Sequence, residues 1–319
     1  MRLLLSVLCW VLASLSAEAS DYVAFEPVAG HGQMHYFIST PTAAAPTSAL
    51  IVLHGHPRDA QHTLQATWHA VEQAGLQGST VVIAPQFQVD PRQADRCSGP
   101  GVPDAVSGEL TWTCRSWVEG ESAKNSDVTS YAVLDALVLQ IEQQWPSLKQ
   151  ITVAGFSAGG QMVQHYIGFA AERQAGTPKV RYVVGSPGSW LYFDAQRPDP
   201  VEDCVIANQW RYGTEQLPGW LHRTAAQARS HYAHADISYL AGALDSSDAP
   251  GTFYPILDKS CGAMSQGPFR LQRAQAFQAY DEKMLSVGKQ RTLTVAPGCA
   301  HDVTCVFNSP VVRQALLGP

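Results

Sequence analysis

The chain has 319 residues, 45% of them hydrophobic and 15% charged, and its formal net charge is -6. That apolar share is enough to bury a core, which excludes a disordered chain. The mild negative charge, without any long Lys/Arg run, gives no footing for a nucleic-acid partner.

Residues 1–19 read as an export signal. Arg2 supplies a positive start, and 3–15 is an apolar run too short for a comfortable membrane span. Ala17-Glu18-Ala19 then has the small-x-small form of a signal-peptidase site. The expected organisation is a removed signal peptide at 1–19 and one catalytic domain at 20–319, with no membrane span in the mature form. Cys9 falls inside the signal and leaves six cysteines: Cys97, Cys114, Cys204, Cys261, Cys299 and Cys305. An even number in an exported chain argues for disulfides, of which six cysteines allow 15 pairings. Proximity favours Cys97–Cys114 and Cys299–Cys305, which leaves Cys204–Cys261. No Cys-x-x-Cys spacing points to a metal. None of Asn125, Asn208 and Asn308 begins Asn-x-Ser/Thr, which fits a secreted or periplasmic bacterial product.

Met34–Ile38 alternates and reads as an early strand, and 41–46 as a Pro/Ala turn. A buried strand is expected at 49–53, a helix at 61–74, and a second buried strand at 80–84 stopped by Pro85. Residues 86–126 are rich in Gly, Pro, Cys and Trp and have no period. A loop of that length is uncommon and often functional, and a Cys97–Cys114 bridge would order it. Asp127 is expected to cap a helix on which Tyr131, Leu134, Leu137, Val138 and Ile141 recur at helical spacing, ended by Pro146. A strand at 151–154, a helix at 158–171 and a strand at 180–184 follow, then an irregular stretch at 186–218. The chain closes with a helix at 224–232, a strand at 237–240, a long helix at 266–285, a strand at 291–296 and a helix at 311–317. Strands alternating with helices predict an α/β fold: a mainly parallel central sheet flanked by helices, in one domain with long disulfide-bonded loops. Trp112, Trp117, Trp190, Tyr192 and Phe193 either line a substrate pocket or pack the two irregular segments; the sequence leaves both open.

Gly155-Phe156-Ser157-Ala158-Gly159 matches Gly-x-Ser-x-Gly between a predicted strand and a predicted helix, the order that a nucleophile elbow requires. The sharp turn holds the serine hydroxyl above the sheet, and side chains two residues before or after it would collide with neighbouring backbone. Ser157 is therefore the candidate nucleophile. A serine needs a base to take its proton, and in this order of elements the histidine follows the last strand. His301 does so, and no other histidine lies after His234. A Cys299–Cys305 bridge would close a small ring around it. The acid is expected after the preceding strand, where Asp245 lies nearest the strand end; Asp248 is the near competitor and Asp194 a more distant one. Two backbone N–H groups are needed for a developing oxyanion. Ala158 supplies one and His56, in the loop His54-Gly55-His56-Pro57, the other, since Pro57 has no N–H. His54 and His56 are not read as a metal pair, because no third ligand is placed nearby.

With these elements in order, the chain resembles the α/β-hydrolase superfamily over nearly all of 20–319. Gly-Phe-Ser-Ala-Gly-Gly-Gln-Met at 155–162 is similar to the elbow of secreted esterases related to polyhydroxybutyrate depolymerases and feruloyl esterases. His56 departs from the cysteine that such depolymerases often carry after His-Gly. The resemblance implies hydrolysis of a small or polymeric carboxylic ester, an acyl-enzyme on Ser157, and no cofactor. A serine peptidase on the same fold, or a binding protein that has lost catalysis, remains the alternative.

Overall fold

The computed structural model describes residues 21–39, 45–286 and 288–318. The expected signal peptide, Cys9 and residues 41–44 of the expected turn lie outside the described residues. In chain order the first half runs β1 (Asp21–Phe25), β2 (Met34–Ile38), β3 (Ser48–Leu53), α1 (Ala60–Gln73), β4 (Thr80–Gln86), β5 (Gln88–Val89), β6 (Thr111–Trp112), α2 (Ser130–Gln144) and β7 (Gln150–Phe156). The second half runs α3 (Ala158–Phe169), β8 (Lys179–Gly185), α4 (Ala225–His234), β9 (Ile237–Gly242), α5 (Cys261–Met264), α6 (Arg270–Met284), β10 (Leu293–Ala296), α7 (Val303–Asn308) and α8 (Pro310–Leu317).

Eight of these strands form one sheet in the order β1-β2-β4-β3-β7-β8-β9-β10. The pairs β1–β2 and β2–β4 are antiparallel, and every other pair is parallel. Both faces are covered. Ala49, Ile51, Leu53 and Ile151 point into one core with residues of α2, α3, α4 and α6. Leu50, Val52, Val82 and Val183 point into another with α1, α7 and α8. Because successive strand residues face opposite sides, strands buried on both faces read as unbroken apolar runs rather than alternations.

Several boundaries differ from expectation, each for a local reason. Pro85 does not stop β4. The strand runs on to Gln86, because beyond Ile83 it pairs only with β2 and needs no donor towards β3. Asp127 does not cap α2. The Thr129 hydroxyl accepts from the Ala132 N–H at 3.0 Å, while the Asp127 carboxylate bonds the His31 ring at 2.9 Å. The expected helix at 266–285 is broken by Pro268; its predecessor Gly267 sits at φ +123°, and α6 starts only at Arg270. β1, the two-residue strands β5 and β6, and the short helices α5 and α7 are not among the elements expected from the sequence.

Three disulfides tie down the irregular segments: Cys97–Cys114, Cys204–Cys261 and Cys299–Cys305. The five aromatic residues that the sequence left open between pocket and core are core. Trp112, Trp117, Trp190 and Tyr192 are fully buried and Phe193 nearly so. Trp190 stacks on Phe277 with centroids 4.5 Å apart, and Trp117 on Phe87 at 5.4 Å. Among the described residues no helix is long and apolar enough to cross a membrane.

Candidate active site

The predicted nucleophile lies between β7 and α3, one residue before the helix begins. Ser157 takes φ +58° and ψ -120°, a conformation that non-glycine residues rarely adopt. It is held there by its N–H to the Gly185 carbonyl at 2.9 Å and by the Gln161 N–H to its own carbonyl at 2.9 Å. The two flanking glycines are steric requirements. A Cβ on Gly155 would lie 2.3 Å from Gly159, and one on Gly159 would lie 2.3 Å from the Leu53 carbonyl oxygen. The side chain of Ser157 is half-buried.

The loop after β3 lies against this turn; an added Cβ at Gly55 would sit 3.5 Å from Ser157 Cβ. His54 is fully buried beneath it, and burial lowers its pKa to about 4, so the ring is neutral. Its Nε2 accepts from the Phe87 N–H at 3.2 Å, which leaves the proton on Nδ1 to donate to the Gly55 carbonyl at 2.9 Å. Both ring nitrogens thus hold the loop in shape. His56, Ser157 and Ala158 border the same cleft. Ala158 is the first residue of α3 and has no intrahelical acceptor for its N–H. Among the described residues the His56 N–H reaches no backbone carbonyl.

Asp245 and His301 come together because β9 and β10 are parallel neighbours, so the loops that follow them lie side by side. The Leu244 N–H donates to the Cys299 carbonyl at 2.8 Å, and the His301 N–H to the Gly251 carbonyl at 3.1 Å. Gly242 makes that crossing possible: a Cβ there would lie 2.2 Å from the Ala300 carbonyl oxygen. His301 Nδ1 is 2.7 Å from Asp245 Oδ2, and both side chains are buried. The other carboxylate oxygen of Asp245 lies 3.5 Å from Arg270 Nη1, which also donates to the Thr252 carbonyl at 2.6 Å. Burial, and then the Arg270 charge, pull the His301 pKa below its ordinary value against the opposing pull of Asp245. His301 Nε2 has no hydrogen-bond partner among the described residues. The ring lines, with Ser157, a cleft of about 170 Å³.

Of the competing aspartates, Asp248 is exposed. Asp194 is engaged elsewhere, with Arg229 at 3.2 Å and the Tyr280 hydroxyl at 3.0 Å. Among the described residues no cluster of three His, Cys, Asp or Glu side chains could hold a metal. Sequence reasoning missed Arg270, which it placed inside an uninterrupted helix, and the loop residues Phe253 and Ile256 that border the cleft. The pairing with Asp245 had no signal in the sequence. For the loop, two large apolar residues in a polar, Gly/Ser/Pro-rich stretch were a signal that went unread; they are 56% and 60% exposed.

No protein-family model and no curated protein matches the chain. Solved structures do. A poly(aspartic acid) hydrolase-1 from Sphingomonas sp. KT-1 is similar with a TM-score of 0.65 at 20% identity, over 94% of this chain and 98% of that one. The poly(3-hydroxybutyrate) depolymerase LpqC from Bordetella parapertussis is similar with a TM-score of 0.62 at 19% identity, over 93% and 89%. An S-formylglutathione hydrolase from Agrobacterium tumefaciens follows at 0.53 and 14% identity, over 95% and 98%.

Proposed function

We propose, from the premise of an α/β-hydrolase fold, that this protein is a secreted or periplasmic serine esterase acting on carboxylic esters. The observation that carries the reading is the 2.7 Å contact of His301 Nδ1 with buried Asp245, made by a ring that shares a cleft with Ser157. In the proposed cycle Ser157 Oγ attacks the ester carbonyl carbon and its proton passes to His301 Nε2. Asp245 holds the proton on Nδ1 and stabilises the imidazolium. The N–H groups of His56 and Ala158 receive the oxyanion, aided by the N-terminus of α3. Collapse breaks the C–O bond, and the imidazolium hands its proton to the departing alcohol. Water, deprotonated by His301, then releases the acid from Ser157. Each of these steps uses a side chain or amide of this chain and none calls for a cofactor. The three disulfides support an oxidising compartment. The likeness to depolymerases supports a small or polymeric ester as substrate.

The test is a panel of p-nitrophenyl esters run against peptide p-nitroanilides, with fluorophosphonate labelling of Ser157. Labelling with ester turnover supports the reading. Turnover of the anilides alone would make the protein a peptidase, and absence of both labelling and turnover would leave only a binding role.

Two further outcomes follow from the site. Since the His301 pKa is lowered, its neutral, base-competent form persists below pH 6.5. kcat/KM should therefore rise with pH along a limb centred below 6.5 and be level through neutrality. A limb centred above 7 would contradict that environment. The Cys299–Cys305 bridge spans a separation of six residues around His301. Mild reduction that opens it should lower kcat before the melting temperature falls. Unchanged kinetics with the bridge shown open by mass spectrometry would remove that positioning role.

A further inference from the structure

The cleft at Ser157 has two lobes of unlike chemistry. One, of about 170 Å³, is walled mostly by apolar surface, including Phe156, Phe253 and Ile256; it contains His301 and two carboxylates, Asp59 and Asp302, beside His62, and no lysine or arginine. The other, of about 450 Å³, holds Arg115, Glu119, Arg211, Asp258, Lys259 and Arg270. Ser157 borders both, as do His56 and Ile256.

The charges of the second lobe are not all matched. Arg211 is pinned between Glu119 and Asp258, the latter at 2.6 Å. Arg270 faces Asp245 at 3.5 Å. Among the described residues no carboxylate pairs with Arg115 or Lys259, so the lobe presents two spare cations in a chain whose net charge is -6. Both are built in. Arg115 follows the Cys97–Cys114 bridge, its N–H bonded to Thr113 Oγ1 at 3.3 Å, with its side chain left exposed. Lys259 lies over the Tyr254 ring at 4.6 Å, and Nζ donates to the Pro255 carbonyl at 3.1 Å.

The reaction assigns the lobes. The imidazolium gives its proton to the departing oxygen, so the alcohol leaves on His301's side. His301 borders the apolar lobe and not the charged one. The acyl chain consequently runs into the charged lobe. Resting on the esterase reading above, we infer that the preferred substrate is an ester of an acid bearing a second carboxylate along its acyl chain, with an apolar alcohol. Arg115 and Lys259 meet that carboxylate, in contacts of the charge-assisted kind.

Three esters of matched size test this: p-nitrophenyl hydrogen adipate, p-nitrophenyl hexanoate, and 4-carboxyphenyl hexanoate, which moves the carboxylate to the alcohol. The adipate is expected to exceed the hexanoate in kcat/KM by about tenfold, with the preference shrinking as salt is raised. The carboxylated alcohol should give no gain. In the double variant Arg115→Gln/Lys259→Gln the adipate-to-hexanoate ratio should fall towards one, whereas Lys283→Gln, an exposed lysine that does not border either lobe, should leave it intact. An adipate no better than hexanoate overturns the inference while leaving the esterase standing, as does a double variant that slows both esters equally. Failure to hydrolyse any of the three, with no fluorophosphonate labelling, overturns both.

Discussion

Replacing Ser157 with alanine should lower kcat by about four to six orders of magnitude and leave the melting temperature nearly unmoved. The loss is large because alanine lacks the oxygen on which the acyl intermediate forms. The small effect on stability has a separate origin. Ser157 sits at φ +58°, and alanine carries the same Cβ, so the backbone strain is common to both proteins. The hydroxyl makes no capping hydrogen bond to α3, so its removal leaves no helix amide newly orphaned. The expected stability change is within about 1 kcal/mol. Kinetics on a p-nitrophenyl ester and a thermal melt check the two halves independently; ester turnover by Ser157→Ala at the wild-type rate would refute the assignment.

Exchanging Asp245 for asparagine should cost about four orders of magnitude in kcat, whereas Asp248→Asn should change it by less than about twofold. An asparagine that turns its NH2 towards His301 Nδ1 drives the ring proton to Nε2, the tautomer that cannot accept the serine proton; one that turns its oxygen there keeps the tautomer but lacks the charge that stabilises the imidazolium. The substitution also removes the carboxylate facing Arg270 at 3.5 Å, inside a region where both side chains are buried. A buried cation that loses its partner typically costs a few kcal/mol, so Asp245→Asn should melt lower as well. Kinetics must therefore be expressed per folded molecule, with circular dichroism reporting the folded fraction. Equal effects at positions 245 and 248 would mean that the 2.7 Å contact with His301 does not select the acid.

The apolar runs of β3, β4, β7 and β8 were legible because a strand buried on both faces has no alternation to hide it. β1 was not: Asp-Tyr-Val-Ala-Phe is too short a run to show a period, and at the sheet edge its burial is mixed, with two residues exposed, two half-buried and one buried. Cap positions were read poorly for another reason. Asp127 and Thr129 are both good N-caps by type; in the fold the helix begins at Ser130 and uses Thr129, while Asp127 bonds His31. The elbow was legible because its chemistry is compressed into five consecutive residues, with glycines that tolerate no Cβ.

The sequence by itself determined the α/β alternation, the glycine-flanked turn at Ser157, and the order in which serine, aspartate and histidine occur. These are local or ordinal properties, written in residues close together along the chain or in their succession. Only the tertiary structure decided that Asp245 rather than Asp248 or Asp194 meets His301, that Arg270 faces the same carboxylate, and that Trp112, Trp117, Trp190, Tyr192 and Phe193 are core instead of pocket. It also decided that the cleft has an apolar and a charged side. Each of those depends on which loops the sheet brings next to one another, as when the parallel pairing of β9 with β10 sets the loops after them side by side across 56 residues of sequence.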